Sequence, residues 1–227
     1  MTEYRTNNAV LREELALKNL DVLDVGSGDG TLVRFVTTQG AHVTGLECGA
    51  AQLEKARSYP LAGDEVYLEG FGQEMPFDDK SFDLVIFSKS LHHIPVEHMA
   101  TALAEAKRVV RSGGAVYVAE PIAKGSGFEL NAPIDDETFV WSAAYDTFRS
   151  DGVAGLRQVR EIYYDTVYHY DNFAAFKDAT IRIEPKRRVA FEAMEAELRK
   201  LFDNLGVPLE NGMRFNQAMR VNVLERT

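Results

Sequence analysis

Apolar positions in the first 120 residues alternate between short unbroken runs and helical stripes. Residues 7–17 set Val10, Leu11, Leu15 and Leu17 on roughly one stripe, with Asn7 or Asn8 placed to cap a helix. Val22 to Val25 is a short apolar run that enters a glycine turn, and 31–38 then reads as a helix that Gly40 ends. The pattern predicts a strand at 42–47, a helix at 49–58 and a strand at about 65–69. Phe82 to Ser88 is almost wholly apolar, the mark of a strand covered on both faces. A helix at about 96–111 is expected to stop before Ser112-Gly113-Gly114, and a strand follows at 115–120. Five strands alternating with helices predict an α/β unit with a mostly parallel sheet.

Beyond residue 120 the pattern is less regular. Residues 136–149 and 186–204 read as helices, 160–170 alternates like a strand, and another strand falls at about 217–225. No repeat, low-complexity tract or linker rich in Gly, Pro or Ser divides the chain. The expectation is one domain over 1–227, with a core at 1–120, a cap and acceptor region at 121–213 and a last strand at 214–227.

Composition narrows the partners. Lys and Arg number 25 against 35 Asp and Glu, a net charge of −10. Residues 181–227 hold nine basic and seven acidic residues, which leaves 16 basic and 28 acidic in the first 180. A field of that sign repels phosphate backbones, so nucleic acid is not an expected partner. The single cysteine, Cys48, excludes an internal disulfide and a Cys-based zinc site, and fits a reducing compartment. No stretch of 18 apolar residues occurs, and the start MTEYRTNNAV lacks the apolar core of a signal peptide. The expectation is a soluble cytoplasmic protein with no membrane partner.

The chemistry is concentrated in Asp24-Val25-Gly26-Ser27-Gly28-Asp29-Gly30, where a strand ends, the backbone turns and a helix begins. Glycine lets a ligand approach the backbone closely, and a helix N-terminus directs N–H groups at an anionic ligand group. Glu47 ends the next strand, 21 residues after Gly26, where a carboxylate can accept both hydroxyls of a ribose. A dinucleotide fingerprint would place its third glycine at 31, which is Thr; here it stands at 30. Asp24, inside an apolar strand, would repel a pyrophosphate but can hold an ammonium group. The expected ligand joins a ribose to an amino acid.

These residues resemble the class I S-adenosylmethionine-dependent methyltransferases of the small-molecule type. LDVGSGDG at 23–30 is similar to the family's first motif and LEC at 46–48 to its second-strand acidic motif. EMPFDDKSFDLVIFSKSLHHI at 74–94 resembles the fourth strand and its loop, and LAEAKRVVRSGGAVYVAEP at 103–121 the helix, glycine turn and fifth strand. The resemblance covers about 1–121 with specific motifs and the rest loosely. It implies a Rossmann-like three-layer α/β sandwich, a seven-stranded mostly parallel sheet with an antiparallel last strand, and a helical cap. It also implies S-adenosyl-L-methionine as cofactor. Gly26, Ser27 and Gly28 would face its methionine part, with Asp24 near the ammonium group and Ser88 presenting a carbonyl to it. Glu47 would hold the ribose, Cys48 would lie against the adenine, and Gly72 and Gln73 would reach the adenine from the third-strand loop. Relatives often carry an aspartate where Phe71 stands, so Gln73 or a backbone carbonyl must accept from the adenine amino group, or the ring carries the adenine instead.

Methyl transfer needs alignment and a deprotonated nucleophile. Where a base is required, His92, His93 and Glu120 are the polar groups at the carboxyl ends of strands four and five. Adjacent histidines point apart and no third ligand accompanies them, so no metal is expected. One histidine is read as packed beside the cofactor and the other at the pocket mouth. Asp135-Asp136-Glu137 reads as a helix cap, Lys186-Arg187-Arg188 as a solvated face and Cys48 as a small apolar filler. Trp141, Tyr145 and Phe148 share one helical face, and the segment 121–213 is expected to select the acceptor and close over it. The expected reaction is methyl transfer to O or N of a small molecule. The rivals are a non-catalytic cofactor-binding regulator of the same fold and a nicotinamide-dependent dehydrogenase.

Overall fold

A computed structural model describes residues 4–149, 153–183 and 187–227. Lys186, part of the basic run singled out above, lies outside the described residues. The first elements are α1 (Asn7–Glu14), β1 (Asp21–Val25), α2 (Thr31–Thr38), β2 (His42–Glu47), α3 (Ala50–Ser58), β3 (Val66–Glu69) and β4 (Phe82–Ser88). A 3₁₀ turn at Leu91–His93, α4 (Val96–Val109) and β5 (Val110–Pro121) follow. The later elements are α5 (Ser126–Asn131), α6 (Thr138–Arg149), β6 (Leu156–Tyr170), α7 (Phe173–Ile183), α8 (Arg187–Leu205), β7 (Val207–Leu209) and β8 (Gly212–Arg226).

The strands form one sheet in the order β3-β2-β1-β4-β5-β8-β6, with β7 paired antiparallel to β8. β1 runs parallel to both β2 and β4, Val22 lying opposite Val43 and Leu84, and β4 runs parallel to β5. The C-terminal strands run antiparallel, which gives the Rossmann-like arrangement the sequence predicts. The short β7 is an addition to the seven expected strands. Order reverses at β1 and β4, so their carboxyl ends open the crevice where sheets of this kind bind ligands.

The chain forms two compact units. The larger comprises Asn7–Glu120, Val140–Ile162 and Arg220–Thr227. Its core joins Leu23, Val85, Phe87 and Val118 of the strands to Met99, Ala102, Leu103 and Ala106 of α4. The spacing of those α4 residues is a single helical face. Arg108 ties α4 to the loop before β4, donating to Glu105 and to the carbonyls of Met75 and Phe77. The other unit holds Pro121–Phe139 and Tyr163–Met219. Its core is a cluster of phenylalanines, Phe173, Phe176, Phe191, Phe202 and Phe215, with Leu130 and Leu198. Among the described residues no helix is long and apolar enough to cross a membrane.

Several boundaries differ from expectation: β6 begins at Leu156 and β8 at Gly212, each earlier than the pattern suggests, and two differences lie in the larger unit's first half. The first helix stops at Glu14, and Leu17 reaches the core from the following turn, where Asn19 takes φ 63°. The helix expected to reach residue 111 ends at Val109, and Ser112-Gly113-Gly114 lies inside β5. Register there jumps from Phe82–Val110 to Leu84–Ala115, so the glycines form a bulge. A Cβ on Gly114 would lie 2.6 Å from the Asp83 carbonyl oxygen. The bulge turns Arg111 toward Asp83 and Asp21, at 2.6 and 2.9 Å.

Candidate active site

The turn after β1 is held by its own amides. Gly26 and Ser27 donate their N–H groups to the Leu46 carbonyl at 2.8 and 3.1 Å, and Gly28 donates to Glu47 Oε2 at 2.8 Å. Gly30 donates to the Ser27 carbonyl and Thr31 to Asp29 Oδ1. The amides of Gly26, Ser27, Gly28, Gly30 and Thr31 are thus engaged within the protein, and the Glu47 carboxylate is seated on the turn. Gly26 has φ 73°, and a Cβ there would strike Ser90 Cβ at 2.6 Å. Gly30 has φ 76°, and a Cβ there would strike the Tyr67 ring at 2.6 Å. The third glycine thus stands at 30 because a tyrosine fills the space beside it.

Two buried carboxylates stand at the crevice. Asp24 is 2% exposed, and burial reinforced by repulsion from Glu47 pushes its carboxyl from 3.8 up to about 7. Glu47 accepts from Gly28 and, through Oε1, from Gly49 N–H at 2.7 Å. Each of its oxygens keeps a second lone pair for a hydroxyl. Above Gly28 the space is open, with none of the described residues within 4 Å of a Cβ, and among them the buried Ser27 hydroxyl has no hydrogen-bond partner. An open backbone, an unpartnered hydroxyl and two carboxylates fit a ribose and an ammonium group, the ends of S-adenosylmethionine.

Around this turn lie the other residues singled out from the sequence. Cys48 is exposed, not a buried filler, and its thiol is pushed up by desolvation and by Glu47. Gly72 is buried against β1 and the loop after the 3₁₀ turn, since a Cβ on it would meet Ile94 and Val25 at 2.9 and 3.1 Å. Gln73 is half-buried, and Phe71 is 54% exposed. Ser88, half-buried, ends β4 opposite Ala119.

Beyond β4 the chain is pinned to the turn and to β5. Ser90 donates its hydroxyl to the Val25 carbonyl at 2.6 Å. Glu120 Oε1 accepts from Leu91 N–H at 3.0 Å and His92 N–H at 3.4 Å, and its Oε2 meets His92 Nδ1. Both side chains are almost fully buried. His92 is buried and His93 exposed, but the rings do not point apart as the sequence suggested: their centroids lie 4.1 Å apart. The Trp141 ring meets His92 edge-on at 6.2 Å between centroids.

Tyr145 is otherwise engaged than its helical face suggests. Its hydroxyl donates to Glu161 at 2.7 Å, and the buried Arg220 stacks on its ring. Phe148 is buried core. In the smaller unit Asp136 caps α6 through Thr138 N–H, as expected, but Asp135 pairs with Arg187 at 2.6 Å. Arg187 is thus not part of a solvated face, whereas Arg188 is exposed. One residue the sequence reading passed over stands in this site, Ser90; the run FSKSLHH contained it, without a pattern to mark it.

The site is thus a turn of a Rossmann-like sheet with the buried carboxylates of Asp24 and Glu47 beside it. Residues 23–118 match the methyltransferase domain family. The chain is similar to the demethylmenaquinone methyltransferase of Chlorobaculum tepidum, 37% identical over 103 residues, 44% of this chain and 40% of that protein. It is also similar to the ubiquinone/menaquinone biosynthesis C-methyltransferase UbiE of Rhizobium leguminosarum bv. trifolii, 34% identical over 53% of this chain and 47% of that protein. The chain spans less than half the length of these curated relatives. In fold it resembles the S-adenosylmethionine-dependent methyltransferase of Mesorhizobium loti, with TM-score 0.51 and 17% identity over 93% of this chain and 95% of that one.

Proposed function

We propose that this chain transfers the methyl group of S-adenosylmethionine to an oxygen or nitrogen of a small-molecule acceptor, with His92 taking the acceptor's proton. The observation that carries this reading is the buried pair of His92 and Glu120 at the carboxyl ends of β4 and β5. Glu120 holds Nδ1 and fixes the orientation of the ring. The bound cofactor supplies an electrophilic methyl group on a sulfonium. Asp24 would receive its ammonium and Glu47 its ribose hydroxyls, while Gly26, Ser27 and Gly28 border the methionine part. Cys48, Gly72 and Gln73 would border the adenine, and the Ser88 carbonyl would face the ammonium.

The name of the Rhizobium relative favours a second reading, transfer to carbon. The same pair would serve it by ionising an acceptor hydroxyl and making the adjacent ring carbon nucleophilic. The test is turnover across an acceptor panel, scored by S-adenosylhomocysteine release, with the product's methyl position read by NMR. His92→Asn and Glu120→Gln should each lower kcat about 100-fold, with cofactor affinity within about twofold. Because they act as one unit, the double variant should lose little more than either alone. Undiminished kcat in both single variants places the base elsewhere.

A further inference from the structure

We propose that Arg220 is a positioning residue for methyl transfer: stacked on Tyr145, it holds α6 so that Trp141 stays against the ring of His92. This rests on the reading above that His92 takes the acceptor's proton. Trp141, Tyr145 and Phe148 lie at i, i+4 and i+7 on α6, one face of the helix. Phe148 is buried in the core of the larger unit, and Tyr145 packs on it edge-to-face with ring centroids 5.7 Å apart. One turn nearer the helix N-terminus, Trp141 meets His92 edge-on at 6.2 Å. Tyr145, between the two, is held twice. The guanidinium carbon of Arg220 lies 3.2 Å from the centre of its ring, and Glu161 Oε1 accepts from its hydroxyl at 2.7 Å. A ring fixed at its face and at its tip keeps one rotamer, and so fixes the helix that carries it.

The hold on Tyr145 is anchored in the sheet. Arg220 and Asn222 stand two apart on β8, so they project from the same face of the strand. Arg220 donates from Nε to Asn222 Oδ1 at 3.1 Å. Asn222 donates in turn to Glu161 Oε1 at 3.0 Å and to Gln158 Oε1 at 2.9 Å, both on β6, the strand beside β8. Arg220 is 8% exposed and Asn222 1%, so both are largely withdrawn from water. An aliphatic side chain at 220 would fill the same space. What the guanidinium adds is direction, a flat cation that stacks on the ring while its Nε donates in its own plane. The Glu161 carboxylate, reached through Asn222 and the Tyr145 hydroxyl, brings the opposite charge to the same cluster. All these residues belong to the larger unit, as do His92 and Glu120. Glu120 holds His92 at Nδ1 and Trp141 packs against the ring, so Arg220 acts on the base through Tyr145 and α6. A base displaced by a fraction of an ångström loses alignment with the proton it must take.

The test uses the full chain loaded with S-adenosylhomocysteine and reads the emission of Trp141, its only tryptophan. Turnover is measured alongside, with the acceptor converted fastest in the panel above. His92→Asn gives the reference emission of an indole that has lost its imidazole neighbour. Arg220→Met should move the emission most of the way to that reference and lower kcat about tenfold, with S-adenosylhomocysteine affinity within about twofold. Tyr145→Leu should do the same, and the double variant should lose little more than either alone, because both act through one path. Arg220→Lys keeps a cation at the ring without the planar stack, and it decides the matter if Arg220→Met does not fold. It should shift the emission in the same direction and lower kcat about threefold. Parental kcat and emission in the folded variants overturn the proposal. So does a lowered kcat with parental emission, or losses that multiply in the double variant, since Arg220 then acts by another route. A tenfold loss of S-adenosylhomocysteine affinity also overturns it, because the residue then serves the cofactor. Undiminished kcat in His92→Asn removes the reading of His92 as base; it is told apart because the emission of Trp141 is read without turnover.

Discussion

Replacing Asp24 by Asn should make the cofactor-free protein more stable and the cofactor site useless. In the folded chain the carboxyl titrates at about 7 in place of 3.8, a difference of about three pH units, each about 1.4 kcal/mol. A raised carboxyl pKa means that the native state holds a proton that the unfolded chain releases. The parent's stability is therefore full below pH 3.8 and falls by about 1.4 kcal/mol per unit as pH rises to 7. Above that the loss levels off at about 4 kcal/mol. Asparagine is nearly isosteric and does not titrate. The gap between variant and parent should therefore widen by about 2–3 kcal/mol between pH 5 and pH 8. Urea denaturation of both proteins across that range, without cofactor, measures it. Cofactor binding should reverse the ranking, because an ammonium group favours the ionised carboxylate. At pH 6 the parent should release a proton on binding S-adenosylhomocysteine, visible by calorimetry in buffers of different ionisation enthalpy. Parallel stability profiles for the two proteins would refute the assignment of a desolvated, titrating Asp24.

Glu47→Ala should cost roughly 2–4 kcal/mol in S-adenosylhomocysteine affinity, read by calorimetry, and about 1–3 kcal/mol in stability, because Gly28 and Gly49 lose their acceptor. An unchanged dissociation constant would show that Glu47 does not hold the ribose. Gly28→Ala and Gly30→Ala should separate binding from folding. The first places its methyl in open space and should lose about 1 kcal/mol of stability but most cofactor affinity; the second drives a methyl into Tyr67 and should lose about 2–4 kcal/mol of stability in the same denaturation assay. Arg108→Met removes the clamp on the loop before β4 and should lower stability by about 2 kcal/mol, with the melting temperature as readout.

The strands β2 and β4 and the helix α2 were legible from the sequence to the residue, because unbroken apolar runs and a helical stripe bounded by glycine have few other solutions. The glycine bulge in β5 was not, since Ser112-Gly113-Gly114 after a helix reads as a loop and only the pairing with β4 makes it strand. α7 was not read from the sequence, although Phe173, Phe176 and Thr180 set three buried side chains along it. In the site, Asp24 and Glu47 were legible because their spacing from the glycines has one structural meaning. The pairing of His92 with Glu120 joins residues 28 apart through the meeting of β4 with β5, which no local pattern records.

The self-satisfied turn after β1 also bears on how such a site could be redesigned. Altering Glu47 alone would not convert it to a dinucleotide clamp, because the Leu46 carbonyl still occupies the amides of Gly26 and Ser27. Freeing those two donors requires the end of β2 to move away from the turn, and that strand is paired to β1 along its length. Cofactor choice in this chain is thus written into the spacing of two neighbouring strands. A designer who wanted NAD here would have to rebuild a backbone, not exchange a side chain.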